Sequence, residues 1–212
     1  MRSMCSIWMG RYAGSLVMEG LGRPGGVSSA EDVVWYCDLR SYTEHGQVLS
    51  PEGMVALLND YLACVGGAIE AHGGEIIRFL GDAVLATFRA SQHQEGLTGA
   101  CGAAVLAARD AMACVDGLNE TRRERGLRPI RFDIALSVGE LCYGALGTPA
   151  RLDFTAVGLA VNLAGRIESL CEQLGEPVLV SNSFAQACQM RLRPLGAFNV
   201  KGFPEPQAVH GL

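Results

Sequence analysis

The stretch Val33-Val34-Trp35-Tyr36-Cys37-Asp38 is apolar without alternation until it stops at a carboxylate. Such a run reads as a central strand buried on both faces, so other layers must cover it above and below. A second run, Ile76-Ile77-Arg78-Phe79-Leu80-Gly81-Asp82, ends the same way and resumes at once as Ala83-Val84-Leu85-Ala86-Thr87-Phe88. Gly81-Asp82 is the tight turn of a hairpin. An aspartate at the end of a buried strand is costly to desolvate unless a cation meets it. Two of them, on strands able to lie side by side, suggest a site for hard divalent metals. Mg²⁺ is usually held by one or two carboxylates together with substrate phosphates.

The rest of the pattern gives the elements between and after these runs. Ser50-Pro51-Glu52 is a helix start, with Ser50 as cap and Pro51 in the first turn. That helix runs to about Ala71 and stops at Gly73-Gly74. Strands are expected over 75–80 and 83–88, and a second helix over about 97–119. Thr121-Arg122-Arg123-Glu124-Arg125-Gly126 reads as a charged loop, Arg131–Val138 as a strand and Leu141–Leu146 as its hairpin partner. Leu152–Val157 is a short extended piece, followed by a helix from Gly158 to Leu174. Val178–Val180 is a strand, Ser181 caps a short helix to about Met190, and two strands near 195–200 and 208–211 complete the chain. The first elements follow a βαββαβ, ferredoxin-like order. The fold expected is α+β, with helices packed on a mostly antiparallel sheet. Residues 1–30 read as a leader and linker, with a short helix over Trp8–Leu21 and a break at Gly22-Arg23-Pro24-Gly25-Gly26. Residues 31–212 form the globular domain.

Composition narrows the function classes. The chain has 212 residues, is 49% hydrophobic and carries a net charge of −5. A broad nucleic-acid surface would be basic, but a nucleotide needs only a local cationic pocket and metal. Eight cysteines contain no C-x-x-C pair and mostly sit in apolar runs, which reads as buried free thiols in a reducing compartment. The four histidines are scattered without metal-ligand spacing. The longest apolar stretch, Thr98 to Val115, is interrupted by Arg109 and Asp110, so no membrane span is expected and the location expected is cytoplasmic.

Within Gly158-Leu159-Ala160-Val161-Asn162-Leu163-Ala164-Gly165-Arg166, Asn162 and Arg166 are four apart and share a helix face. A planar guanidinium suits phosphate oxygens and a phosphoryl transition state. Lys201, before Gly202, is a further candidate phosphate cation.

Together these stretches resemble the class III nucleotidyl cyclase catalytic domain, over about Asp32 to Leu212. Trp35 to Thr43 looks like the family's first metal-binding strand and phosphate-gripping turn. Gly73 to Phe88 resembles its hairpin with the second metal aspartate. Arg151-Leu152-Asp153-Phe154-Thr155-Ala156-Val157-Gly158, running on to Arg166, looks like its purine-reading and transition-state segment. Trp8 to Gly14 resembles the stretch that joins an upstream sensor domain to the cyclase in bacterial members. The resemblance implies that the ferredoxin-like core extends into the cyclase sandwich. It implies that Asp38, Asp82 and the Leu39 carbonyl hold two Mg²⁺ or Mn²⁺ ions, and that backbone N–H groups of Ser41, Tyr42 and Thr43 grip phosphate. It makes Asn162 the ribose-orienting residue, Arg166 the stabiliser of charge on the α-phosphate, and Lys201 the terminal-phosphate cation. It implies a homodimer in which each site takes its aspartates from one subunit and Asn162, Arg166, Lys201 and the purine readers from the other. The expected reaction is ATP to 3′,5′-cyclic AMP and pyrophosphate.

The chain departs from the family's pattern at three positions that matter. The purine-reading pair is Arg78 and Thr155, where adenylyl members commonly have Lys and Asp and guanylyl members Glu and Cys. Thr occurs in a bacterial branch that makes cyclic AMP, and Arg78 can donate to the bare N1 of adenine, so ATP is favoured over GTP. Ser41 stands where the family turn usually has Gly, which permits a backbone angle that Ser resists. The alternatives are a guanylyl or dual-specificity cyclase, and a non-catalytic nucleotide-binding dimer with a regulatory role.

Overall fold

The structure, a computed structural model, describes residues 27–148 and 151–212. The expected helix over Trp8–Leu21 and the linker after it lie outside these residues. Eight strands form one sheet in the order β2-β3-β1-β4-β6-β8-β7, with β5 paired to β4 off this path. The strands are β1 (Val27–Leu39), β2 (Glu75–Leu80), β3 (Ala83–Phe88), β4 (Phe132–Thr148), β5 (Arg151–Val157), β6 (Val178–Ser181), β7 (Arg193–Phe198) and β8 (Gln207–Gly211). The helices are α1 (Tyr42–Val48), α2 (Pro51–Ala71), α3 (Gly96–Glu124), α4 (Leu159–Glu168), α5 (Cys171–Leu174) and α6 (Asn182–Ala187). The segment β2-β3-β1-β4 is antiparallel throughout and has the strand order of a βαββαβ unit; β4 and β6 are parallel.

Side chains alternate across β1, and this separates two cores. Val33, Trp35, Cys37 and Leu39 face α2 and α3, where Leu57, Tyr61, Val65, Ile69, Ala104 and Ala108 are buried. Val34 faces the other way, with Leu85, Ala135, Tyr143, and Ala160, Ala164 and Ile167 of α4. The Tyr61 hydroxyl lies 3.0 Å from Cys37 Sγ, tying α2 to the strand one residue before Asp38. α2 and α3 are long and apolar enough to cross a membrane by length and composition. Each spends its apolar stripe in the core just described.

Several expectations hold at residue level. β2 and β3 have the bounds read from the sequence. Ser50 Oγ accepts from Gly53 N–H, and Ser181 Oγ from Phe184 N–H, as helix caps. Others are corrected. The 131–138 and 141–146 stretches are one strand of 17 residues, β4, unbroken through Gly139. Its partner is β1. Residues 121–124 are the last turn of α3 and not a loop, because Arg122 is buried and its Nε donates to the Arg128 carbonyl. The helix expected over 158–174 breaks after Glu168 into α4 and α5. The cysteines are not all free thiols: Cys64 of α2 and Cys114 of α3 form a disulfide across 50 residues, with Cα atoms 5.5 Å apart. Cys37, Cys101, Cys142, Cys171 and Cys188 remain free.

Candidate active site

Asp38 is the penultimate residue of β1, and Asp82 sits in the turn between β2 and β3. Because β3 lies beside β1, the hairpin turn and the strand end meet. Gly81, at φ +73°, makes that turn, a conformation that costs glycine little. The two carboxyl groups are within hydrogen-bonding reach of one another. Burial, and then the Asp82 charge, raise Asp38 from 3.8 to about 6, against the Leu39 N–H that donates to Asp38 Oδ1 at 2.9 Å. Two half-buried carboxylates this close repel unless a cation lies between them. The donor set therefore fits a divalent metal of the oxygen-seeking kind.

Two further acids, which the sequence reading passed over, join this end of the sheet. Asp133 faces Asp38 directly across the β1–β4 register and is buried. Glu168, the last residue of α4, is pushed up to about 7, first by burial and then by Asp38 and Asp133. Arg40 opposes them: its Nε and Nη2 donate to the two Asp133 oxygens, each at 2.5 Å. The signal for Asp133 was its position opposite Asp38, which becomes readable only once β4 is known to pair with β1. Tyr36, on the same face, is raised to about 12 by burial and by Asp38.

Ser41 follows in a left-handed conformation, φ 58° and ψ 30°. It is the one non-glycine residue with positive φ among the described residues, so the backbone angle suspected from the sequence is present. Its carbonyl accepts from His45 N–H, and Ser41, Tyr42 and Thr43 are exposed at the start of α1.

Arg78 on β2 and Thr155 on β5 come together. Both line a cavity of about 380 Å³ with Leu146, Gly147, Thr148, Arg151 and Asp153. Asp153 forms an ion pair with Arg78 Nη2, a partner that the sequence reading missed. Asn162 and Arg166 are exposed on α4, opposite its buried stripe of Ala160, Ala164 and Ile167. Lys201 is exposed in the connection between β7 and β8. Asn162, Arg166 and Lys201 make no side-chain hydrogen bond or ion pair among the described residues, whereas Asp38 and Asp82 form a compact acidic pair.

The architecture is that of an α+β sandwich with a two-carboxylate site at the end of its central strands. Compared with known proteins, the sequence profile of the adenylate and guanylate cyclase catalytic domain matches residues 28–211. The chain belongs to this family. It is 34% identical over 163 residues to an adenylate cyclase of Anabaena cylindrica, covering 75% of this chain and 31% of that protein. It is 32% identical over 197 residues to adenylate cyclase 1 of Rhizobium meliloti, covering 88% of this chain and 29% of that protein. The chain thus spans under a third of the length of these relatives. Its fold matches the crystal structure of the adenylyl cyclase CyaB from P. aeruginosa with a TM-score of 0.78 and 27% identity, over 87% of this chain and 94% of that one. A guanylyl cyclase crystal structure matches with a TM-score of 0.75 and 26% identity, over 87% and 92%. A catalytic domain of this family requires a divalent metal.

Proposed function

We propose that this chain is an adenylyl cyclase domain that converts ATP to 3′,5′-cyclic AMP and pyrophosphate, at sites shared between two copies of itself. The observation that carries the reading is the convergence of Asp38 and Asp82 at the end of β1, in a family whose relatives at 34% and 32% identity are named adenylate cyclases. Asp38, Asp82 and the Leu39 carbonyl would hold two Mg²⁺ or Mn²⁺ ions. Metal held there would supply a lowered pKa for the ribose 3′-hydroxyl and neutralisation of charge on the phosphates.

The protein's own groups do the rest. Backbone N–H groups of Ser41, Tyr42 and Thr43 grip phosphate oxygens. Asn162 orients the ribose, Arg166 meets the charge that develops on the α-phosphate, and Lys201 binds the terminal phosphates. Arg78 and Thr155 read the purine, Arg78 donating to adenine N1 and Thr155 accepting from the 6-amino group. Asn162 and Arg166 point away from their own core, which supports their use on a second copy.

The test is a competition assay with equal ATP and GTP under Mn²⁺, with products identified by mass. Cyclic AMP as the main product supports the reading. Cyclic GMP at equal or higher yield would reassign the chain as a guanylyl or dual-specificity cyclase. Nucleotide binding without any cyclic product would make it a regulatory dimer.

A further inference from the structure

The cyclase reading leaves one cation beside the metal carboxylates without a role. Arg40 follows Asp38 by two residues, in the turn directly after β1. Asp133 lies directly opposite Asp38, and directly opposed residues share a face, with Cβ atoms about 5 Å apart. The two-pronged clamp from Arg40 to Asp133 therefore fixes the guanidinium on the residue that faces Asp38 across the β1–β4 pair. The Arg40 backbone is pinned as well, its N–H donating to the Arg131 carbonyl at 2.8 Å.

The clamp leaves donors to spare. It commits Nε and one Nη2 hydrogen out of five N–H donors. Among the described residues the Arg40 side chain makes no other hydrogen bond or ion pair. Its side chain keeps 25% of its surface exposed while that of Asp133 keeps 4%, so the pair is sealed on the aspartate side and open on the arginine side. Around it stand Asp133, Glu168 and Glu172, and Asp133 and Glu168 in turn act on Asp38 or are acted on by it. Arg40 is the cation that draws Glu168 and Asp133 down against the burial that raises them. A triphosphate brought against Asp38 and Asp82 enters a field of carboxylates. Metal ions offset part of that charge, and a planar cation with free N–H groups suits the remainder.

We propose that Arg40, aimed by Asp133, binds the terminal phosphates of the nucleotide from the same chain that supplies Asp38 and Asp82. The inference rests on the nucleotide cyclase reading above. Asp133 is a positioning residue: it acts on substrate through Arg40, which it orients and keeps from swinging onto Asp38.

The test compares wild type with Arg40→Gln, Arg40→Lys and Asp133→Asn. Calorimetry follows binding of 3′-deoxy-ATP, which lacks the attacking hydroxyl, and of 3′-deoxy-AMP, both with Mn²⁺. KM and kcat for ATP and the metal-free melting temperature are measured alongside. Arg40→Gln should weaken the triphosphate about tenfold and the monophosphate less than about twofold, with KM rising more than kcat falls. Asp133→Asn should weaken the triphosphate about three- to fivefold, and Arg40→Lys should fall between wild type and Arg40→Gln. A purely structural pair would lower the melting temperature and weaken both nucleotides alike; that result, or unchanged triphosphate affinity, overturns the inference. If Arg40→Gln does not fold, unchanged triphosphate affinity in both Arg40→Lys and Asp133→Asn overturns it. A wild type that binds no triphosphate under Mn²⁺ overturns the cyclase reading and this inference with it. A wild type that binds, beside variants that bind as well, overturns this inference alone.

Discussion

Asp38→Asn should make the metal-free protein more stable while removing its activity. Burial and the neighbouring Asp82 carboxylate raise Asp38 from 3.8 to about 6. The folded protein therefore holds the Asp38 proton more tightly than the unfolded chain does. For a carboxyl raised in this way, stability falls as pH rises from about 4 to about 6, and the deficit is complete above that window. A rise of roughly two pH units corresponds to at most ~3 kcal/mol. Asp38 is only half-buried, and water screening brings the expected penalty to ~1 kcal/mol. Asparagine keeps the shape and an oxygen for the Leu39 N–H, but carries no charge. Urea unfolding in a chelating buffer should show Asp38→Asn ~1 kcal/mol more stable than wild type at pH 7.5, with the gap closing towards pH 4. Added Mn²⁺ should then raise wild type more than the variant. Equal or lower stability of Asp38→Asn at pH 7.5, or a gain that persists unchanged at pH 4, would refute the reasoning.

Two further substitutions probe how the site is held. A Cβ added at Gly139 would meet Ala160 Cβ at 3.0 Å, so Gly139→Ala should push α4 outward, cost ~1–2 kcal/mol in a thermal melt and lower kcat several-fold through Asn162 and Arg166. Asp153→Ala releases Arg78 from its ion pair; it should change the ATP-to-GTP ratio of kcat/KM several-fold while moving stability by less than ~1 kcal/mol, since the pair is partly exposed.

Local pattern carried the sequence reading furthest where structure is locally determined. The hairpin of β2 and β3 follows from two apolar runs around Gly81-Asp82, and Ser50 and Ser181 are caps by residue type and spacing. The reading failed where distant contacts decide. Residues 131–138 and 141–146 read as two strands of a hairpin, but Gly139 between them lies mid-strand, where Ala160 packs against it. Arg122 was taken for a solvated loop residue because of its charge, yet it is buried and satisfied by the Arg128 carbonyl. The Cys64–Cys114 bond joins residues that only the packing of α2 on α3 brings together. At the site, Asp38 and Asp82 were legible because carboxylates ending apolar runs stand out. Asp133 did not stand out, since an acid in an alternating strand looks like a solvent-facing residue. Its burial comes from pairing with Arg40, which depends on the β1–β4 register.

The central claim is that each site is built from two copies of this chain, with the acids from one and the α4 residues from the other. Mixing Asp38→Ala protein with Arg166→Ala protein under Mn²⁺ and ATP tests it most directly. Each variant alone should be inert, and the mixture should make cyclic AMP, because a heterodimer rebuilds one intact site, at up to about a quarter of the wild-type rate if copies pair at random. A wild type that makes cyclic AMP while the mixture stays as silent as its components, with subunit exchange demonstrated, would contradict the shared site.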